Sequence, residues 1–366
     1  MVLNVFDGFP LTEYFISLRT LKNTMVLDLV KYPKELSKHL FEADNILLVC
    51  HVNPDGDAIG SQLALYHYLI SKGKKTSMIS PNYLQEFLKW MEGSEEIHIF
   101  IKERKVCKEL IYKADLVIML DFNQSGRLGD SEEYILKSKA KKVIIDHHVT
   151  LNNFADMIIS DPSRCSTSEL LHELLTVINN GVFLHTAYSE AIYVGIITDT
   201  GNFEHGSFTG NTFRLIADLI ETGIDKNRVF DQVFNNFSAD RMRLQGYSLN
   251  ERMVVIPEYH AAYIFLTRAD LSKYNYKKGD TEGFVNLPLS INGIDFSTLL
   301  IEKEGYIKLS FRSKGDFSVN EFAESYFSGG GHLNAAGGEY YDSLENTIKY
   351  FLEMLKNEAW KIRSGF

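Results

Sequence analysis

The sequence predicts an α/β protein: a doubly wound, mostly parallel sheet domain followed by a smaller α+β domain. Three observations carry this. From about Asp44 to Gly223, short apolar runs alternate with amphipathic stretches, the pattern of strands buried on both faces and joined by crossover helices. From Val254 the texture changes to β-rich runs separated by turn clusters. The chain has 366 residues, enough for two domains with cores of their own.

Taken in order, Ile46–Cys50 (ILLVC), Thr76–Ser80 (TSMIS), Leu116–Leu120 (LVIML) and Val143–Ile145 (VII) read as buried strands. Helical periodicity fills the gaps, as in Ala58–Ser71. Ser166-Thr-Ser-Glu169 has the spacing of a capping box and opens a helix through Leu175. Gly223 to Met253 has few turn signals and reads as a helical connector. Beyond it, VVIPEY, AAYIFLT, FSTLLIE and YIKLSFR read as strands, with turns at Lys278-Gly-Asp280 and Asn292-Gly293. A glycine cluster at Gly329–Gly331 precedes a closing helix from Asp342. The expected division is an N-terminal extension over 1–40, a first domain over 41–225, a connector over 226–253 and a second domain over 254–366. Met25 is a candidate start, since clear patterning begins just after it.

Charge and composition narrow the functional classes. Acidic residues number 48 against 38 basic ones, a net charge of −10. Proteins that track long duplexes carry basic surfaces, because phosphate contacts drive that affinity. Any nucleic acid handled here is therefore expected to be short or held locally. Three scattered cysteines exclude a disulfide framework and a thiolate metal cage, and the chain reads as cytoplasmic. No apolar run approaches the ~18–20 residues of a membrane span. The N-terminus lacks the basic and apolar regions of a signal peptide.

Four segments finish apolar runs with metal-binding side chains, and each reads as a strand end. They are Cys50-His-Val-Asn-Pro-Asp-Gly-Asp57, Asp121, Asp146-His147-His148, and Asp199 within Gly195–Gly201. Pro54 and Gly56 are expected to bend the first so that His51, Asp55 and Asp57 converge. A lone Asp after a strand is more often a helix cap than a ligand. At least four carboxylates and two imidazoles on one sheet rim, however, would repel one another unless cations neutralised them. Oxygen and nitrogen donors without thiolate suit Mn²⁺, Mg²⁺, Fe²⁺ or Co²⁺, and the number of donors suits two ions.

The ordered set His51-x-x-x-Asp55-x-Asp57, Asp121, Asp146-His147-His148 and Asp199 resembles the DHH phosphoesterase family. Gly329-Gly-Gly-His-Leu-Asn-Ala-Ala-Gly-Gly338 looks like the signature of the DHH-associated C-terminal domain. The resemblance covers nearly everything from Ile46 onward and is closest to the branch that hydrolyses short oligoribonucleotides and 3′-phosphoadenosine 5′-phosphate. It implies two divalent ions, Mn²⁺ before Mg²⁺ or Co²⁺, in an active site between the two domains. One ion would take His51, Asp55 and Asp121; the other would take Asp57, Asp121, His147 and Asp199, with Asp121 bridging. His148 would face the substrate phosphate, with Asp146 orienting the histidine pair.

In the second domain, Arg312 and Ser313 resemble the family's strand that reads the far end of the substrate. Gly329, Gly330, Gly331, His332 and Asn334 would line the same surface, with Asn320 and Ala335 as weaker candidates. Without the resemblance, Arg312 reads equally well as a surface arginine on an edge strand. Ser328 stands where relatives have a further glycine. Arg127 is balanced between phosphate contact and a loop salt bridge. Gly60-Ser61 reads as tight packing and capping, and Cys50, His98, His172, His185 and His205 as structural residues.

The expected activity is hydrolysis of short oligoribonucleotides to nucleoside monophosphates, of 3′-phosphoadenosine 5′-phosphate, or of both. A homodimer is left open. The competing enzyme reading is a cyclic-dinucleotide phosphodiesterase, and the non-enzyme reading is a nucleotide-binding regulatory module. Family II pyrophosphatases lack the glycine signature, and single-strand DNA exonucleases of the family carry an added binding domain.

Overall fold

The computed structural model describes residues 31–148, 154–183, 185–204, 206–331 and 333–363. Residues 1–30 of the extension expected over 1–40, the candidate start Met25, His205 and His332 fall outside that set. The chain divides between Val233 and Phe234 into two compact units.

In the first unit, α1 (Lys31–Glu42) leads to β1 (Asn45–Val49), α2 (Gly56–Ser71), β2 (Lys75–Ser80), β3 (Ile97–Ile99) and α3 (Arg104–Lys113). Then follow β4 (Leu116–Leu120), α4 (Glu132–Lys137), β5 (Lys141–Asp146), β6 (Met157–Ser160), α5 (Thr167–Asn179), α6 (Thr186–Asp199), α7 (Gly210–Glu221) and α8 (Lys226–Phe234). The six strands are all parallel, in the order β3-β2-β1-β4-β5-β6. β1 thus has β2 on one side and β4 on the other, and this reversal of winding opens a crevice at the carboxyl ends of the strands. The sheet is covered on both faces. Leu47, Val49, Val117 and Met119 pack with Cys107 and Ile111 of α3. On the other face α2 is tied down by the buried Gln62 amide, which donates to the carbonyls of Leu48 and Ile79 at 3.0 Å each. Each such apolar side chain taken out of water stabilises the fold by about 1.5–3 kcal/mol.

Two strands of this unit escape the sequence reading: β3 and β6, three and four residues long at the sheet edges. The segment that ends in Asp199 is a correction. It closes helix α6, not a strand, and Ala187 to Ile197 is buried on every side. A helix apolar all round has no polar stripe, so periodicity does not separate it from a buried strand. The helix expected to end at Leu175 runs on to Asn179 and stops at Asn180 in the left-handed conformation. Its capping box is half formed. Ser166 Oγ accepts from Glu169 N–H at 3.0 Å, but the Glu169 carboxylate accepts from Cys165 N–H instead of from Ser166.

The second unit holds α9 (Ala239–Glu251), β7 (Met253–Ile256), β8 (Ala261–Leu266), α10 (Arg268–Lys273), β9 (Phe296–Glu302) and β10 (Ile307–Ser313). It continues with α11 (Val319–Tyr326), β11 (Gly330–Gly331), β12 (Ala335–Tyr340) and α12 (Leu344–Arg363). The strand order is β11-β12-β10-β9-β8-β7; β8 and β9 run parallel and the other pairs antiparallel. Phe296 and Phe311 pack under Phe322 of α11 and Phe351 of α12. Ile264, Leu299 and Ile301 face Leu244 of α9, Leu271 of α10 and Phe284. This is the smaller α+β domain that the sequence predicts.

Candidate metal centre

The first unit collects its chemistry where β1, β4 and β5 end. Beyond β1, Asp55 caps α2, accepting from the N–H groups of Asp57 and Ala58 at 3.1 and 3.0 Å. The cap and ligand readings of this residue are therefore compatible, since one oxygen caps and the other faces His51. Gly56 is not the bend residue expected. A Cβ there would meet Thr198 Oγ1 at 2.3 Å, and the left-handed residue of the loop is Asn53 (φ 52°). Glycine is needed again where α2 crosses α6: a Cβ on Gly60 would lie 2.5 Å from the Ala191 carbonyl, and one on Gly195 would lie 2.8 Å from Asp57 Oδ1. Backbone contact between the two helices thus brings Asp57 and Asp199, at opposite ends of α2 and α6, to one place.

Donor atoms of three groups lie within 4.8 Å of one another: His51, Asp55 and Asp121; Asp57, His147 and Asp199; and Asp121, His147 and His148. Asp121 belongs to two of them. His51 Nε2 is 3.2 Å from Asp121 Oδ2 and 3.6 Å from Asp55 Oδ2. His147 Nε2 is 3.1 Å from Asp199 Oδ2 and 3.8 Å from Asp121 Oδ1. His148 Nδ1 lies 2.6 Å from Asp146 Oδ1, and Asp146 is wholly buried. Backbone carbonyls orient the other two rings: His51 Nδ1 sits 2.8 Å from the Val52 oxygen, and His147 Nδ1 3.2 Å from that of Arg164. With a proton held on Nδ1, loss of the Nε2 proton would free a lone pair for an ion.

The electrostatics are strained. Burial alone would lower the His51 imidazole, but the adjoining Asp121 and Asp55 carboxylates override it and hold it at about 9. Burial, reinforced by the Asp121 charge, pushes Asp57 up to about 7. Burial and the charges of Asp57, Asp55 and Asp121 drive Asp199 well above the carboxylate range. Burial would raise Asp121, but the three imidazoles around it outweigh burial and hold it well below. Protons here do a job that cations would do better. The donors fit a divalent ion: they are carboxylate oxygens and imidazole nitrogens, and His51 Nε2 is buried without a hydrogen bond.

Three contributors lie outside the sequence-derived set. Thr167 and Ser168 N–H, at the start of α5, donate to Asp57 at 2.6 and 2.9 Å. The Thr167 hydroxyl donates to Asp121 at 3.1 Å. Arg164 offers its carbonyl to His147. The capping sequence 166–169 marks the place, but backbone groups have no residue-type signature. Ser61 does not cap α2, contrary to the sequence reading; Asp55 does, and Ser61, one turn further on, donates back to the Asp57 carbonyl at 2.7 Å.

In the second unit Arg312 lies on β10 between β12 and β9, so the edge-strand reading is corrected. It is half-buried, and its Nη1 donates to the Phe311 carbonyl at 2.9 Å. Ser313 Oγ donates to Phe317 O at 2.7 Å and accepts from Asn334 Nδ2 at 2.9 Å. The N–H groups of Gly329 and Gly331 donate to the Ala323 carbonyl and to Asn320 Oδ1. Close packing requires the glycines: a Cβ on Gly329 would lie 2.0 Å from Gly337 O, and one on Gly331 2.4 Å from Ala335 O. Ser328 has φ 46°, which explains why glycine suits that position. His98 pairs with Glu103, His172 with Tyr188, and His185 caps α6.

A carboxylate–imidazole rim on a parallel sheet, followed by a mixed-sheet domain, defines a class of phosphoester hydrolases. The profile of the DHH family N-terminal domain matches residues 45–196 and that of the DHHA1 domain residues 258–361. The chain belongs to the DHH family and is a phosphoesterase. It is 29% identical over 308 residues to the bifunctional oligoribonuclease and PAP phosphatase NrnA of Bacillus subtilis, covering 84% of this chain and 93% of that one. An exopolyphosphatase-related protein from Bacteroides fragilis matches with a TM-score of 0.88 at 39% identity, over 93% of this chain and 100% of that one. RecJ of Thermus thermophilus, crystallised with Mn²⁺, shares the fold at a TM-score of 0.55 and 14% identity, over 92% of this chain and 56% of its own.

Proposed function

We propose that the protein hydrolyses short oligoribonucleotides to nucleoside monophosphates, and 3′-phosphoadenosine 5′-phosphate to its monophosphate, using two divalent ions. The observation that carries this reading is the set of donor clusters sharing Asp121. His51, Asp55 and Asp121 would hold one ion; Asp57, Asp121, His147 and Asp199 would hold the other. Bound divalent ions, Mn²⁺ before Mg²⁺ or Co²⁺, supply Lewis acidity toward phosphoryl oxygens and a hydroxide nucleophile at neutral pH.

The protein's own groups do the positioning. Thr167 and Ser168 fix Asp57, and the Thr167 hydroxyl fixes Asp121. Asp146 accepts from His148 Nδ1 and favours the imidazolium, whose Nε2–H would donate to a substrate phosphate oxygen. The His148 imidazole is raised above the usual range because Asp146 and Asp121 outweigh burial. Arg312 supplies a guanidinium for the portion of substrate beyond the scissile phosphate. Ser313, Asn334 and Gly329–Gly331 set the backbone around it, and His332 belongs to the same segment. The named activities of the B. subtilis relative support the substrate class, and the net charge of −10 supports short substrates over long ones. Among the described residues no helix is long and apolar enough to cross a membrane; a cytoplasmic setting is part of the proposal.

The test is product analysis with labelled dinucleotides, long RNA, 3′-phosphoadenosine 5′-phosphate and cyclic di-AMP competing under Mn²⁺. Dinucleotides and 3′-phosphoadenosine 5′-phosphate are expected to disappear first, and chelation to stop all turnover. Faster loss of cyclic di-AMP would make the protein a cyclic-dinucleotide phosphodiesterase. No hydrolysis of any of the four would leave a nucleotide-binding module.

A further inference from the structure

The turn Ser125–Ser131 belongs to none of the donor clusters, yet it is fastened to the loop that bears His51. Val52 N–H donates to the Arg127 carbonyl at 2.8 Å. Gly129, at φ 54°, approaches so closely that a Cβ would meet Val52 Cγ1 at 2.7 Å. Leu128 and Ser131 are fully buried, and Ser131 Oγ donates to the Leu128 carbonyl at 2.7 Å. The backbone from which the Arg127 side chain departs is therefore held in a fixed relation to the metal loop.

Several arginines of the first unit are neutralised by carboxylates. Arg104 pairs with Asp130, Arg164 with Glu173 and Asp161, and Arg228 with Glu190. Arg127 pairs with no carboxylate among the described residues. Its side chain makes one long hydrogen bond, Nη1 to the Asp121 carbonyl at 3.4 Å. That bond places it beside the residue shared by two donor clusters, and its charge is felt at His51, whose imidazole it lowers. A guanidinium has five N–H donors in a planar fork. One is engaged, weakly, and the neighbouring carboxylates have turned to imidazoles instead. An arginine kept for stability beside Asp121 would be expected to form the bidentate pair with its carboxylate that such groups favour. The loop salt bridge weighed for Arg127 is absent among the described residues.

We propose that Arg127 is a catalytic phosphate ligand, its guanidinium contacting a non-bridging oxygen of the scissile phosphate. The inference rests on the phosphoesterase reading above and adds a residue to it. In the step served, the water oxygen bonds to phosphorus and the P–O bond to the leaving ribose breaks. The proton released by the water ends on the leaving alkoxide. Arg127 stays protonated and transfers nothing; it offsets charge on the phosphoryl oxygens as they pass through the transition state. Unlike Arg312, it would touch a group that every substrate possesses.

Arg127→Ala and Arg127→Lys test this in the full chain. Loss of a charge-assisted contact predicts a fall in kcat/KM of about 30- to 150-fold, alike for a dinucleotide and for bis(p-nitrophenyl) phosphate. Lysine, lacking the fork, should recover only part, and added guanidinium should partly rescue the alanine variant. AMP binding to the Mn²⁺-loaded protein, followed by calorimetry, should weaken about tenfold or more, while the Mn²⁺ dissociation constant and Tm match wild type. Unchanged kinetics on both substrates would overturn the proposal. A loss that tracks weaker Mn²⁺ binding and is reversed by excess Mn²⁺ would also overturn it, because Arg127 would then only hold Asp121 in place. A loss confined to the dinucleotide would move the residue to the far end of the substrate. A wild-type protein inactive on every phosphoester would instead sink the parent reading, and the wild-type control separates the two failures.

Discussion

The rim of the first sheet and the glycine segment of the second unit use polar residues in opposite ways. At the rim, carboxylates and imidazoles converge and still leave polar atoms unpaired: His51 Nε2 and Asp146 Oδ2 are buried with no hydrogen bond. In the second unit, Ser313, Asn334, Asn320 and two glycine N–H groups are engaged with one another or with nearby carbonyls. The difference teaches how to rank candidates. A residue whose hydrogen-bonding capacity is consumed internally supports the frame, and one whose capacity is left over is available to a ligand. By that measure Arg312 belongs with the first unit's residues, although its neighbours Ser313 and Asn334 do not.

The largest effect should come from Asp121→Asn. Loss of the carboxylate shared by two clusters removes several kcal/mol of transition-state stabilisation, about 10³-fold or more in kcat. Calorimetry should show Mn²⁺ stoichiometry reduced, with Tm near that of the wild type. Wild-type-like turnover would break the contrast at its root. Next is Arg312→Ala, expected to lower kcat/KM about 30- to 150-fold for a dinucleotide but much less for bis(p-nitrophenyl) phosphate, which lacks a far end. Equal losses on both substrates would put Arg312 at the chemical step.

The third test uses pH. At pH 7 the His51 imidazole, at about 9, keeps its proton, and Asp57, at about 7, is half protonated. Both must lose protons to hold an ion. Mn²⁺ binding should therefore release protons, and its apparent affinity should rise between pH 7 and 9 by up to about tenfold per unit for each proton released. Calorimetry in buffers of different ionisation enthalpy reads that number directly; a pH-independent affinity would show the clusters already deprotonated. The smallest effect belongs to Ser313→Ala, which should cost about 1 kcal/mol in denaturant unfolding and leave kcat within about threefold of wild type. A large kcat loss with unchanged stability would move Ser313 from the frame to the site.

Much of this was legible in the sequence because continuous apolar runs such as Leu116–Leu120 are long enough to announce buried strands, and residues at their ends inherit a known place on the sheet. Reading failed where length or periodicity gave out. Ile97–Ile99 and Met157–Ser160 are too short to show a pattern, and the all-apolar α6 hides its helical period. In the site, side-chain donors were visible as residue types. The contributions of Thr167, Ser168 and Arg164 come wholly or partly through peptide N–H and C=O groups, which every residue has. The tight packing read at Gly60 is what the crossing of α2 and α6 requires, whereas Gly195 carried no such signal although no larger side chain fits there either.

Asp121 stands in the left-handed region, with φ 66°, immediately after β4. Away from glycine that conformation costs about 1–2 kcal/mol, and aspartate and asparagine tolerate it better than alanine does. Alanine scanning at this position would therefore mix a chemical loss with a conformational penalty, and asparagine is the cleaner probe. Glycine there would relax the backbone and discharge the carboxylate at once, so Asp121→Gly should yield a sturdier but inert protein. Selection for thermal robustness alone would erode this position, and its persistence in an evolving lineage would record selection for turnover.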